Sequence, residues 1–257
     1  MADGQELKGK VAVVGGGAKN LGGRLSVELA RRGAAVMIHY HSDSARPEAD
    51  AAVAAIRGGG GRAESFQGDL SKPRVVAALF DEAVKAFGGV DLAVNTTGVV
   101  IKKPIHEVTE EDYDRSFNVN SKAAFFFIKE AGRTLNDRGK ICTIVTSLLA
   151  GYTDSYSIYA GAKSPIEHFT RAASKEFGPR GISVTALGPG PMETPFFYGQ
   201  ETPESAAYNQ SAAALSKFTK TGLTDVEDVV PIVLFLLADG WWITGQTIFC
   251  NGGYTSR

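Results

Sequence analysis

Lys10-Val11-Ala12-Val13-Val14-Gly15-Gly16-Gly17-Ala18-Lys19-Asn20-Leu21-Gly22-Gly23 is the stretch whose reading decides the fold. Its first five residues form a short, β-branched apolar run, the composition of a strand buried on both faces of a parallel sheet. The run passes directly into glycines. Leu25, Leu29 and the stop signal Arg31-Arg32-Gly33 then mark a helix. Strand, glycine turn and helix, in that order, are the setting in which main chain binds a pyrophosphate. The glycines let backbone approach the ligand, and the helix N-terminus offers free N–H groups and partial positive charge.

Outward from this unit the alternation continues. A strand over 34–40 completes a βαβ unit, an alanine-rich helix follows over 48–56, and alternating residues 62–66 predict a third strand ending at Gly68-Asp69-Leu70. Pro73 opens a helix carrying Val76, Leu79, Phe80, Val84 and Phe87 at helical spacing. A fourth strand over 91–94 closes at Asn95-Thr96-Thr97-Gly98. Thr109, followed by Glu110, Glu111 and Asp112, marks a helix start with a hydroxyl cap and acids in the first turn. The long helix beyond it carries Asn118-Val119-Asn120 and Phe125-Phe126-Phe127-Ile128. Strands over 140–145 and 182–187 flank a helix over 156–177. Residues 188–220 break the rhythm before a last helix over 225–237 and a last strand over 246–250. The expectation is one α/β domain over 1–257, a doubly wound, Rossmann-type fold with a mostly parallel central sheet and helices on both faces.

Composition narrows the function classes. The 257 residues are 44% apolar with a formal net charge of -1, an ordinary globular balance that gives no overall pull towards nucleic acid. Cys142 and Cys250 sit in apolar runs and read as small buried strand residues, neither a disulfide framework nor a metal site. The polar N-terminus, Met1 to Glu6, has no signal-peptide core and no glycine for myristoylation, and Thr255-Ser256-Arg257 is no recognised address. The longest apolar run, 229–238, is too short to span a bilayer and holds Pro231. A cytoplasmic enzyme with no membrane partner is expected.

The chemistry is concentrated in Tyr159-Ala160-Gly161-Ala162-Lys163, with Thr146-Ser147 upstream. Residues four apart stack on one face of a helix. A free phenol, pKa about 10, is a poor proton carrier at neutral pH, and a neighbouring ammonium favours its ionised form. That pairing predicts a general acid/base, with a hydroxyl of Thr146 or Ser147 positioned to bond the same substrate oxygen.

With these landmarks in order, the chain resembles the short-chain dehydrogenase/reductase family over roughly 7–254. The resemblance rests on the glycine turn, Asp69, Asn95-Thr96-Thr97-Gly98, Asn120, Thr146-Ser147, Tyr159-x-x-x-Lys163 and Pro189-Gly190-Pro191-Met192-Glu193-Thr194. It implies a nicotinamide-dependent oxidoreductase acting on a ketone/secondary alcohol pair. Tyr159 would exchange the proton, Lys163 would lower the phenol pKa and hold the ribose, Ser147 would orient the substrate oxygen, and Asn120 would hold a relay water. Asp69 and Leu70 would flank the adenine, Asn95 would steady the central strands, and Thr194 would bond the carboxamide. Gly16, Asn20, Leu21, Gly22, Thr96, Gly98, Pro189 and Gly190 complete the expected cofactor site.

Three departures from the family pattern stand out. Asn20 occupies a usual glycine position of the turn. Thr96-Thr97 replaces Asn-Ala and is expected to add polar atoms near the ribose. The usual serine-to-tyrosine spacing falls on Thr146, although Ser147 is the usual residue type and is the expected choice. At the end of the second strand, where an acid would favour NAD(H), stand Tyr40, His41 and Ser42, with Asp43 further along. Lys19 can reach a 2′-phosphate, so NADP(H) is expected in preference to NAD(H). The substrate is expected beneath a lid over about 192–215, against Met192, Phe196 and Phe197, with Tyr152 and Tyr156 opposite. Homodimers or homotetramers joined through the helices carrying the Asn120 and Tyr159 regions are implied by the same resemblance, and Phe125-Phe126-Phe127, too apolar for every side chain to face solvent, fits one face in the core and another in a partner. Rival readings are an idle nucleotide-sensing or scaffold protein, and a C=C reductase or lyase; the short Tyr159-to-Lys163 spacing favours carbonyl reduction.

Overall fold

Strands β1 (Val11–Gly15), β2 (Ala35–Tyr40), β3 (Ala63–Gln67), β4 (Leu92–Asn95), β5 (Lys140–Ile144), β6 (Ser183–Pro189) and β7 (Thr247–Cys250) lie side by side in the order β3-β2-β1-β4-β5-β6-β7. The computed structural model describes residues 5–256, so the address expectations resting on residues 1–4 and 257 lie outside the described residues. Every adjacent pair is parallel. β1, β2, β4 and β6 are buried along their whole length, which is why they lack the alternation of a half-exposed strand. The strand order reverses between β1 and β4, opening a crevice at their carboxyl ends.

Helices α1 (Asn20–Arg31), α2 (Arg46–Gly58) and α3 (Pro73–Phe87) are crossovers of the first half. α4 (Glu110–Ser116) and α5 (Ala123–Thr134) follow β4. The Thr109 cap is present: its hydroxyl accepts from the Asp112 amide at 3.2 Å, and the Asp112 carboxylate accepts from the Thr109 amide at 3.2 Å. Phe80 of α3 meets Phe127 of α5 edge-on at 5.1 Å, both fully buried. Each such burial contributes about 1.5 to 3 kcal/mol. Phe125 remains 45% exposed, so the three phenylalanines do not all pack internally.

The sequence expectations need adjusting in four places. A π-helical turn over Phe117–Lys122 separates α4 from α5 and contains Asn120. The helix expected over 156–177 is two, α6 (Ser157–Lys163) and α7 (Pro165–Glu176), because Pro165 has no N–H to continue the ladder. Residues 188–220 contain short helices α8 (Pro195–Tyr198) and α9 (Pro203–Ala212). Cys142 is buried as expected, but Cys250 lies half-buried on β7, an edge strand. The last helix, α10 (Val226–Leu237), matches its expected bounds within a residue. None of the described helices is long and apolar enough to cross a membrane.

Candidate active site

The crevice at the strand reversal opens into a cavity of about 1240 Å³. Its floor is the glycine turn. Gly16 adopts φ +73°, and a Cβ there would lie 2.7 Å from Thr96 Oγ1. A Cβ on Gly22 would come within 2.1 Å of the Gly16 carbonyl oxygen. Only hydrogen fits at either place. Asn20 adopts φ +50°, so asparagine takes the left-handed conformation that glycine would take more cheaply. Lys19 precedes it as the N-cap of α1, exposed on the cavity rim, and Leu21 lies beside it.

Buried side chains tether this turn. The Ser26 hydroxyl donates to the Gly17 carbonyl at 2.9 Å, and His39 Nδ1 accepts from the Gly16 amide at 3.0 Å. Thr96 Oγ1 donates to the Gly15 carbonyl at 2.8 Å, and Thr97 Oγ1 donates to Asn95 Oδ1 at 2.6 Å. Each hydroxyl donates its proton to a protein partner, because the carbonyls of the turn lie within reach of one and Asn95 of the other, while both threonines line the cavity with oxygen lone pairs that can accept.

At the end of β2, His41, Ser42 and Ser44 line the cavity together with Asp69 and Leu70. Tyr40 is buried and ends the strand, as expected. Asp43 does not line the cavity: it is paired with Arg46 at 3.1 Å and faces solvent. Asp69 accepts from the Ser71 amide at 3.0 Å, and hydrogen bonds from Ser71 help to hold its carboxyl below the usual range against an opposing cost of burial. No carboxylate therefore stands at the β2 terminus facing the cavity.

The central wall carries Tyr159, Lys163, Asn120, Thr146 and Ser147. Tyr159 and Lys163 share one face of α6 and both line the cavity with Thr146 and Ser147. The expected lowering of the phenol by Lys163 is corrected. Burial pushes Tyr159 up to about 12, opposed by the neighbouring Thr146 side chain. The Lys163 ammonium instead donates to the carbonyls of Ile144 at 3.0 Å and Thr97 at 3.2 Å, and burial lowers it to about 8. Asn120 Oδ1 accepts from the Val99 amide at 3.1 Å, and its Nδ2 donates to the Val99 carbonyl at 2.9 Å. A Cβ on Gly98 would meet Asn120 Oδ1 at 2.9 Å and Lys163 Nζ at 3.1 Å, so Gly98 lets these two side chains approach. Thr146 and Ser147 both line the cavity with Tyr159; the Thr146 hydroxyl accepts from the Leu148 amide at 3.3 Å, and Ser147 is buried with its carbonyl accepting from Thr255 at 3.1 Å.

Beyond Tyr159 the cavity is walled by aromatic side chains. Tyr156 meets Tyr159 edge-on at 6.0 Å, while Tyr152, Phe196 and Tyr208 are exposed along its mouth, with Phe197 and Met192 beside them. Sequence reasoning missed the polar cluster at this end. Glu201, between α8 and α9, has a side chain only 1% exposed and pairs with Lys102 at 2.6 Å. It also accepts from the hydroxyls of Tyr156 and Ser205. These residues come from three unconnected segments, none with a periodic pattern, so the sequence carried no signal for their meeting. His39 was missed for another reason: in a fully buried strand no alternation marks one side chain as functional.

Pro189 and Gly190 at the end of β6, and Thr194 as the cap of α8, border the cavity between its two ends. The residues present fit a dinucleotide: a glycine cradle that any Cβ would fill, a helix N-terminus behind it, and a continuous cavity reaching Tyr159. Among the described residues no cluster suits a metal ion.

A family model described as enoyl-(acyl carrier protein) reductase matches residues 16–255. A hydroxynaphthalene reductase-like protein of Metarhizium brunneum is 35% identical over 97% of this chain and 96% of its own length. A short chain dehydrogenase/reductase of Aspergillus novofumigatus is 33% identical over 96% of each. A crystal structure from Burkholderia cenocepacia, described as a dehydrogenase with bound NADP, superposes with a TM-score of 0.97. It shares 57% identity and covers 98% of this chain and 96% of the other.

Proposed function

The chain belongs to the short-chain dehydrogenase/reductase family, and from that premise we propose that it is an NADP(H)-dependent oxidoreductase interconverting a ketone and a secondary alcohol. The observation that carries this reading is one cavity lined by Thr146, Ser147, Tyr159 and Lys163, with Lys163 one turn beyond Tyr159 on α6, and by the glycine turn. NADPH, when bound, supplies the hydride. Tyr159 holds its proton at neutral pH and delivers it from the phenol oxygen to the carbonyl oxygen as negative charge develops there. Thr146 or Ser147, both lining the cavity, supplies the hydroxyl that orients the carbonyl oxygen. Lys163, anchored on Ile144 and Thr97, is placed to hold the nicotinamide ribose. The Asn120 amide is committed to Val99, which leaves its main-chain carbonyl, in the widened π turn, to hold a relay water.

NADP(H) is favoured by Lys19 on the rim, by Ser42 and His41 at the end of β2, and by Asp43 facing away. The NADP bound to the Burkholderia relative agrees with this choice. The aromatic mouth suits a flat, apolar or aromatic carbonyl compound, in keeping with a relative named for hydroxynaphthalene reduction. The description of the matching model names a C=C reductase; the Tyr159–Lys163 spacing favours the carbonyl. Assembly through the exposed Phe125 face belongs to the same proposal.

The test is a comparison of dissociation constants. A lysine–phosphate contact contributes about 1.5 to 3 kcal/mol, so NADPH should bind roughly ten- to a hundredfold more tightly than NADH. Lys19→Ala should erase most of that difference by weakening NADPH alone. Tighter binding of NADH by the parent protein would refute the cofactor assignment.

A further inference from the structure

His39 is 2% exposed, the penultimate residue of β2, and its ring joins two turns that border the same cavity. Nδ1 lies 3.0 Å from the Gly16 amide nitrogen, which can only donate. Nδ1 is therefore a lone-pair acceptor, and the ring proton resides on Nε2. Nε2 lies 2.8 Å from the Gly68 carbonyl and donates to it. The His39 carbonyl also accepts from the Gly17 amide at 2.9 Å. Gly16 holds φ +73° in the glycine turn, and Gly68 precedes Asp69, which lines the same cavity.

We propose that His39 is a positioning residue for the dinucleotide, fixing the glycine turn against the Gly68–Asp69 turn, and that only its neutral, Nε2-protonated form does so. A proton on Nδ1 would set one N–H against the other and release Gly16. The ionisable groups acting on the ring are His41, on the same strand end, and Asp69, at the end of β3. His41 disfavours the proton and Asp69 favours it, but burial outweighs both and keeps the ring pKa down at about 4. The ring is therefore neutral wherever the enzyme works near neutrality. The turn it holds serves the pyrophosphate shared by NADP and NAD, so the effect is blind to the 2′-phosphate.

This inference rests on the dinucleotide reading of the cavity, and the experiment separates the two. Dissociation constants for NADP+ and NAD+ are measured on the wild type, His39→Leu and His39→Asn near neutral pH. His39→Leu removes both ring contacts; His39→Asn keeps an acceptor near the Nδ1 position and cannot titrate. His39→Leu should weaken both dinucleotides by about tenfold or more, raising the cofactor KM with kcat at saturation little changed. His39→Asn should recover much of the loss.

In the wild type, NAD+ affinity should fall as the ring protonates on the acid side, by up to about tenfold per pH unit below its pKa, and this fall should be absent in His39→Asn. NAD+ is the informative ligand because a phosphate monoester itself ionises near pH 6. Nitrogen NMR of the wild-type ring should show the Nε2-protonated tautomer. Unchanged affinities in His39→Leu, an Nδ1-protonated ring, or loss of fold before any loss of affinity would each overturn the inference. If His39→Leu does not fold, the wild-type pH series and tautomer decide. Wild type that binds neither dinucleotide would instead remove the proposed function.

Discussion

Thr146 and Ser147 differ by one position and one methyl group, yet the fold gives them different neighbours. The Thr146 hydroxyl accepts from the Leu148 amide and its side chain acts on the Tyr159 phenol; Ser147 has its carbonyl tied to Thr255. Thr146→Val keeps the shape and removes the hydroxyl, and should lower kcat by about 10- to 100-fold, the scale of one charge-stabilising hydrogen bond. Ser147→Ala should cost less. Steady-state kinetics on the two variants, side by side, check the order, and a larger loss at Ser147 would reverse the assignment. The Tyr159–Lys163 pairing was legible from spacing alone, because helical geometry fixes which residues share a face. Which adjacent hydroxyl faces the phenol was not, because neighbouring side chains leave an extended chain in opposite directions. The rise of the phenol pKa was not legible for a related reason: burial, its largest cause, is something spacing does not report. A pKa raised to about 12 keeps Tyr159 protonated at neutral pH. Ketone reduction needs that proton and should hold its rate across neutral pH. Alcohol oxidation needs the phenolate and should rise as pH increases into the alkaline range. Matched pH–rate profiles check both; oxidation that is fastest in acid would contradict this.

At the scale of elements, two segments decide the site. The β1–α1 turn was legible down to its individual glycines, and Asn20 at φ +50° shows how a departure from glycine is accommodated, at a cost of about 1 to 2 kcal/mol. Of its three tethers, those from Thr96 and His39 were not legible, since one joins residues 81 apart and the other is hidden in a buried strand. The segment carrying α8 and α9 was recognised only as a break in rhythm. Its attachment is the Glu201 carboxylate, which draws donors from Lys102 after β4, Tyr156 before α6 and Ser205 on α9. Removing one partner of a buried pair leaves the other charge uncompensated. Glu201→Gln should therefore loosen this segment over the aromatic mouth, raising the substrate KM several-fold while the NADPH dissociation constant stays near the parent value. A KM indifferent to the change would show that Glu201 does not secure the wall of the substrate site.

The whole molecule brings these parts together by topology. Strand order reverses between β1 and β4, so the glycine turn, the Asn95–Gly98 segment and the β5 end with Thr146 converge on one crevice from sequence positions far apart. The alternation of strands and helices made that architecture legible, because a parallel sheet needs crossovers and crossovers need helices. The polar contacts across the crevice depend on side-chain directions that alternation does not specify. The account as a whole stands on Tyr159 exchanging a proton with a carbonyl oxygen during NADPH-dependent reduction. Its most direct test is NADPH consumption, followed by nicotinamide absorbance over a panel of flat aromatic ketones, in the parent protein and Tyr159→Phe. At least one ketone should be reduced by the parent. The variant should bind NADPH as before and turn over about 10² or more times slower, the scale of lost general acid–base catalysis. Turnover by Tyr159→Phe at the parent rate on that ketone would contradict the account.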